Sequence, residues 1–237
     1  MNEVKIQSDT GVTLVGGGEI GPEDISLALR LAPWLVAVDG GASVALDGGH
    51  DIHAVVGDFD SLKARDRARI PADRLLRIEE QDSTDFEKAL RSISAPVILG
   101  VGFLGARLDH QFAAFNALAR FPDKPCILIG ETEIVLHVPP VLELELADGD
   151  VVSLFPMAAV SGRSQGLKWP IDGLAFAPNG RIGTSNRAMG RTNLEMDGPG
   201  LLAILPRRAL ASALTALAET HPRASAGQSP VQRPARA

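Results

Sequence analysis

The chain has 237 residues, enough for one large domain or two small ones with a sizeable core. Hydrophobic residues make up 45% and charged residues 22%, and the formal net charge of −6 argues against bulk nucleic-acid binding through clustered Lys and Arg. A small phosphate ligand stays open, because a metal can supply local positive charge. Aromatic residues are only 4% and Tyr is absent, which argues against a base-stacking platform for single strands. The lone Cys126 excludes an internal disulfide or a four-cysteine zinc site, and its setting, Pro125-Cys-Ile-Leu-Ile129, reads as a buried strand. No apolar run approaches the roughly 18–20 residues of a membrane span, and Met1 to Lys5 lacks a signal-like apolar region. A cytoplasmic location is therefore expected.

From the N-terminus, Val12–Val15 reads as a strand ending in Gly16-Gly-Gly18. Residues 23–31 read as a helix with Pro22 at its start. Leu35–Val38 is a second strand, ending in Asp39-Gly-Gly41, and Ala54–Val56 a third, ending in Gly57-Asp-Phe-Asp60. A short helical piece at 66–70 and a strand at 75–78 follow. Residues 84–92 form a helix with Asp82 or Ser83 as the expected cap. Then come a strand at 97–101, a helix at 109–121 and a strand at 126–129. Such alternation implies a mainly parallel α/β sheet.

Beyond Glu131 the runs become short and extended, as in 133–138, 142–146, 150–155 and 201–205. Leu142-Glu-Leu-Glu-Leu146 alternates as a half-buried strand should. Gly149, Gly166, Gly173, Asn179-Gly180 and Gly190 fit turns between strands. The expected architecture is an N-terminal α/β domain with a mainly parallel sheet (residues 1–131) plus a C-terminal antiparallel β-sandwich domain (132–220). A last helix is expected at 207–219. The Pro-, Arg- and Ser-rich stretch 221–237 reads as a disordered tail.

Every candidate in the first half falls at the end of a strand or the start of a helix, the edge where open α/β sheets bind ligands. Asp58 and Asp60 are one residue apart on one turn, and hard cations such as Mg²⁺ take carboxylate oxygens together with waters and substrate phosphates. Asp85 adds a third carboxylate, and three converging carboxylates repel one another without a cation. Gly16–Gly18 fits either a phosphate-approaching loop or an ordinary turn. It is not a Walker A loop, because no Gly-Lys-Ser/Thr follows. Lys88 fits a phosphate ligand or a surface pair with Asp85. Arg107 suits bidentate phosphate binding, Asp109 fits a phosphate-site residue or an N-cap, and His110 a site or structural histidine. Trp169 fits either the core of the β half or a stacking surface for a flat heteroaromatic ligand. Carboxylate pairs of this kind also occur in Mg²⁺-dependent phosphohydrolases and nucleotide-sugar transferases.

Taken together, seven segments in order resemble the thiamine pyrophosphokinase (thiamine diphosphokinase) family. They are Val38-Asp-Gly-Gly-Ala42, Val56-Gly-Asp-Phe-Asp-Ser-Leu62, Gln81-Asp-Ser-Thr-Asp-Phe-Glu-Lys88, Gly105-Ala-Arg-Leu-Asp-His110, Leu154-Phe-Pro156, Gly166-Leu-Lys-Trp169 and Gly183-Thr-Ser-Asn186. The resemblance implies a homodimer that transfers pyrophosphate from ATP to thiamine with Mg²⁺, giving thiamine diphosphate and AMP; a non-catalytic nucleotide or thiamine sensor with the same fold is the alternative. It implies Asp58, Asp60 and Asp85 as metal-binding and catalytic carboxylates. It implies Asp39, Thr84, Lys88, Arg107, Asp109 and His110 around ATP, and Gln81, Trp169, Ser185 and Asn186 around thiamine. The chain departs from the family pattern at Ala106, where Gly is frequent, and at Gly183, where Ser is frequent.

Overall fold

The computed structural model describes residues 5–80, 82–105 and 107–220. Its strands are Ile6–Gln7 (β1), Val12–Val15 (β2), Trp34–Val38 (β3), Ala54–Gly57 (β4), Leu75–Arg77 (β5), Ile93–Ser94 (β6), Ile98–Val101 (β7) and Cys126–Ile129 (β8). The second half adds Glu133–His137 (β9), Val141–Leu144 (β10), Val151–Pro156 (β11), Val160–Leu167 (β12), Ala175–Phe176 (β13), Gly183–Met196 (β14) and Leu201–Pro206 (β15). The helices are Asp24–Leu31 (α1), Gly41–Asp47 (α2), Ala64–Arg67 (α3), Asp85–Ser92 (α4), Leu108–Arg120 (α5) and Leu210–Thr220 (α6).

One mixed sheet runs through both halves in the order β13-β12-β14-β11-β15-β9-β8-β7-β2-β3-β4-β5. The neighbours from β8 to β5 are parallel, and β8 and β9 pair antiparallel across the change of pattern. Strands β2, β4, β7 and β8 are buried along their whole length, because helices cover both faces of a parallel sheet. Ile25 and Ala28 of α1 and Ala42 and Ala45 of α2 pack into one hydrophobic cluster with Leu35 and Ala37 of β3. Phe86 and Leu90 of α4 and Ala114 and Leu118 of α5 pack into the other, with Val36 and Val38 of the same strand. The alternation along β3 places the two clusters on opposite faces of the sheet.

Three local expectations change. Thr84, rather than Asp82 or Ser83, caps α4, its side chain accepting from the Glu87 amide. Helix α2 is additional to the expected elements: Asp39-Gly-Gly41 reads as a loop, yet Gly41 is the first helical residue. A Cβ at Gly41 would lie 2.1 Å from the Val15 carbonyl oxygen, so the glycine lets α2 start hard against the end of β2. Gly166 and Gly190 lie inside β12 and β14 rather than between strands. The β12–β14 register shifts between Gln165 and Leu167, so an irregular pairing absorbs the glycine that resembled a turn. Strand β14 pairs with β11 through Gly183 to Arg187 and with β10 through Thr192 to Glu195, carrying the chain from one set of strands to another. The expectation for the tail at 221–237 lies outside the described residues. No described helix is long and apolar enough to cross a membrane.

Candidate functional site

A cavity of about 450 Å³ opens at the carboxyl edge of the parallel strands. It is lined by Gly16 to Gly18 after β2, Asp39 after β3, Asp58 after β4, Thr84, Asp85 and Lys88 of the α4 start, and Gly102, Phe103, Arg107 and His110 around the start of α5. This placement follows from the topology. Each parallel strand is fixed by two neighbours, so the first residue past its end is aimed before any ligand arrives.

One oxygen each of Asp39, Asp58 and Asp60 lies within 4.8 Å of the other two. Asp39 adopts φ 43° and Phe59 φ 69°, left-handed conformations unusual for such residues. The turn is tied locally: the Asp60 amide donates to Asp58 Oδ1 at 3.1 Å and the Ser61 hydroxyl to Asp60 Oδ1 at 2.9 Å. A Cβ on Gly57 would sit 3.2 Å from the Asp39 Cβ, so glycine there brings the two strand ends together. Asp39 Oδ2 accepts from the Ser61 amide at 3.2 Å, while its buried Oδ1 has no hydrogen-bond partner. Burial, then repulsion from Asp85 and Asp60, raises the Asp39 pKa despite the opposing hydrogen bond from Ser61. An unpartnered buried carboxylate oxygen, beside two more carboxylates, fits a hard divalent cation.

Asp85 is held differently. Lys88 Nζ lies 2.9 Å from Asp85 Oδ1 and 3.9 Å from Asp58 Oδ2, and Lys88 is only 3% exposed. Lys88 is thus a buried cation between two site carboxylates rather than a surface pair. Arg107 and Asp109 are exposed and bidentately paired at 3.1 and 2.6 Å. Their hydrogen bonds raise the arginine pKa and lower that of the aspartate, so both stay charged. The α5 N-cap position is Arg107, and no side chain caps it, so Asp109 is not an N-cap. The amides of Gly16 and Gly18 donate to the carbonyls of Val101 and Gly102, leaving Gly17 as the exposed member of that loop.

None of the described cavity residues comes from the antiparallel half. There Trp169 is 53% exposed, with Lys168 Nζ 4.9 Å from its ring centre. Buried Asn186 fixes it, accepting from the Trp169 amide at 3.2 Å and donating to its carbonyl at 2.7 Å. Ser185 adopts φ 64° and its amide donates to Ser153 Oγ. Gln81 lies outside the described residues. Ser61 has no candidate role in the sequence, yet it bonds Asp39 through its amide and Asp60 through its hydroxyl. The available signal was a hydroxyl directly after the second carboxylate, where turn residues bond side chain to backbone.

Residues 26–129 match the family model described as thiamin pyrophosphokinase, catalytic domain. Over this segment the chain is similar to thiamine pyrophosphokinases. Within that family, thiamine pyrophosphokinase 1 of Oryza sativa subsp. japonica is 26% identical over 198 residues, which span 66% of this chain and 75% of the relative. Thiamin pyrophosphokinase 1 of Caenorhabditis elegans is 27% identical over 176 residues, spanning 65% and 71%. The crystal structure of thiamin pyrophosphokinase from Candida albicans superimposes with a TM-score of 0.70 at 17% identity, covering 87% of this chain and 94% of that one. That from Geobacillus thermodenitrificans gives 0.67 at 23% identity, covering 82% and 96%. At these identities the two structures establish the shared fold.

Proposed function

We propose that this chain transfers pyrophosphate from ATP to thiamine, the reaction of the thiamine pyrophosphokinase family, giving thiamine diphosphate and AMP. The observation that carries the reading is the cavity at the strand ends, where Asp39 presents an unpartnered buried oxygen beside Asp58 and Asp60 while Lys88 neutralises Asp85. Asp39, Asp58 and Asp60 would hold Mg²⁺, which supplies charge neutralisation at the pyrophosphate oxygens. The sequence motif ranks Asp85 as the third ligand, but its contact with Lys88 favours a different task. The Asp85 oxygen not bonded to Lys88 orients the thiamine hydroxyl and takes its proton. The hydroxyl oxygen bonds the β-phosphorus, the bond from that phosphorus to the bridging oxygen breaks, and AMP leaves with that oxygen. Lys88 and Arg107 set positive charge beside the transferring group, while Gly17, Thr84, Asp109 and His110 frame the nucleotide site.

Trp169, Ser185 and Asn186 form the thiamine face in this reading. That face is not part of the cavity lining, and we assign its closure over the cavity to a second copy in a homodimer. The antiparallel half, residues 132–220, is read as a sandwich domain bearing that face, and residues 1–131 as the nucleotide domain. Incubation with Mg²⁺, ATP and thiamine tests the proposal. AMP that appears only when thiamine is present supports it, and inorganic phosphate released without thiamine contradicts it.

A further inference from the structure

Asp66 is a fully buried carboxylate six residues beyond Asp60, and the transfer chemistry does not use it. Its Oδ2 accepts from the Ser43 hydroxyl at 2.6 Å, a buried bond between helices α3 and α2. Its Oδ1 lies 3.4 Å from Arg65 Nε and 3.7 Å from Arg69 Nη1. The bond from Ser43, then the two arginines, holds the Asp66 carboxyl below the usual range against the cost of burial, so it stays ionised. The position of the pair in the chain gives it meaning. Ser43 sits in the first turn of α2, whose start is hydrogen-bonded to the Asp39 turn through Ala42 N to Asp39 O and Ser43 N to Gly40 O. Asp66 sits in α3, which follows directly on the turn bearing Asp58 and Asp60.

The two acidic turns are fastened at the site and behind it. At the site the Asp39 amide donates to the Val56 carbonyl at 3.0 Å and the Ser61 amide to Asp39 Oδ2 at 3.2 Å. Behind it, Arg69 Nη2 donates to the Leu46 carbonyl at 3.3 Å from the exposed side, and the Ser43–Asp66 bond is the buried tie. At the site, repulsion among the carboxylates pushes the turns apart, and a tie from one amide to one of those same carboxylates opposes it weakly. A short charge-assisted bond in the interior opposes it more strongly.

We propose that Ser43 and Asp66 are positioning residues that set the separation of the Asp39 carboxylate from Asp58 and Asp60, and hence the affinity of this group for a divalent cation. The inference rests on the reading of those three carboxylates as the metal site. Partners that orient metal ligands from behind typically govern affinity by about 10–100-fold.

The test is Mn²⁺ binding to the full chain without ATP, followed by electron paramagnetic resonance, with thermal unfolding recorded in parallel. Ser43→Ala should weaken Mn²⁺ binding roughly tenfold or more. Thr13→Val removes a buried hydroxyl that donates to the Ala32 carbonyl away from the acidic turns. It should lower the melting temperature and leave Mn²⁺ affinity unchanged. If Ser43→Ala does not fold, Ser43→Cys, which keeps the volume but donates weakly, should show the same direction of change. A Ser43 variant that loses thermal stability but binds Mn²⁺ like the wild type overturns the positioning role. A wild type that binds no Mn²⁺ overturns the metal-site reading and the latch with it.

Discussion

In the parallel half, Asp39, Asp58, Asp85 and Lys88 leave strand ends or the first turn of a helix and face one cavity. In the antiparallel half, Trp169 and Asn186 bond to each other and Trp169 stays half exposed on a face outside that cavity. The first arrangement is electrostatically tense: Asp39 is buried, repelled by Asp85 and Asp60, and left with an open oxygen. The second is relaxed, with an amide side chain satisfied by main-chain groups and an aromatic ring offered to solvent. Charge transfer demands preorganised, strained polar groups, whereas recognition of a flat ring demands a rigid platform. Under the proposed function, one copy would carry both parts of the reaction site without joining them.

The contrast can be broken at either end. The largest effect is expected for Asp58→Asn, which removes a carboxylate from both the three-carboxylate group and the cavity. Turnover should fall about 10²-fold or more at saturating substrates, and near-normal turnover would remove Asp58 from the metal site. A smaller and different effect is expected for Trp169→Ala. The KM for thiamine should rise roughly tenfold, as loss of a stacking partner implies, with the KM for ATP unchanged. An equal change in both constants would place Trp169 in the fold rather than in acceptor binding. The smallest effect is on stability. Asp39 has its folded pKa raised above 3.8, so its stabilising contribution is complete below that value and lost as pH rises through the folded pKa. Without divalent cations, Asp39→Asn should therefore gain in melting temperature relative to the wild type as pH rises from about 4 towards neutrality. A difference independent of pH would contradict the account of Asp39 as a tense group.

Much of the parallel half was legible because its signals are local. Apolar runs such as Ala54–Val56 end in Gly-Asp, and the strand end fixes where the carboxylate goes. The distinct surroundings of the carboxylates were not legible. The sequence grouped Asp85 with Asp58 and Asp60 and set Asp39 apart, whereas the contact of Lys88 with Asp85 and the unpartnered Asp39 Oδ1 divide them differently. The Ser43–Asp66 bond was invisible because it spans 23 residues and joins a helix that resembled a loop to a short one. In the antiparallel half, glycines mislead. Gly166 and Gly190 carry positive φ inside strands, the conformation that a turn also uses.

Mixed assembly tests most directly whether the strand-end cavity of one copy is completed by the Trp169 face of another. Asp58→Asn and Trp169→Ala chains, dissociated together and reassembled, are assayed at low thiamine. If sites form between copies, half the dimers are mixed and each holds one intact site, so activity should return to about a quarter of the wild type. A mixture no more active than the two variants measured apart would contradict the shared site.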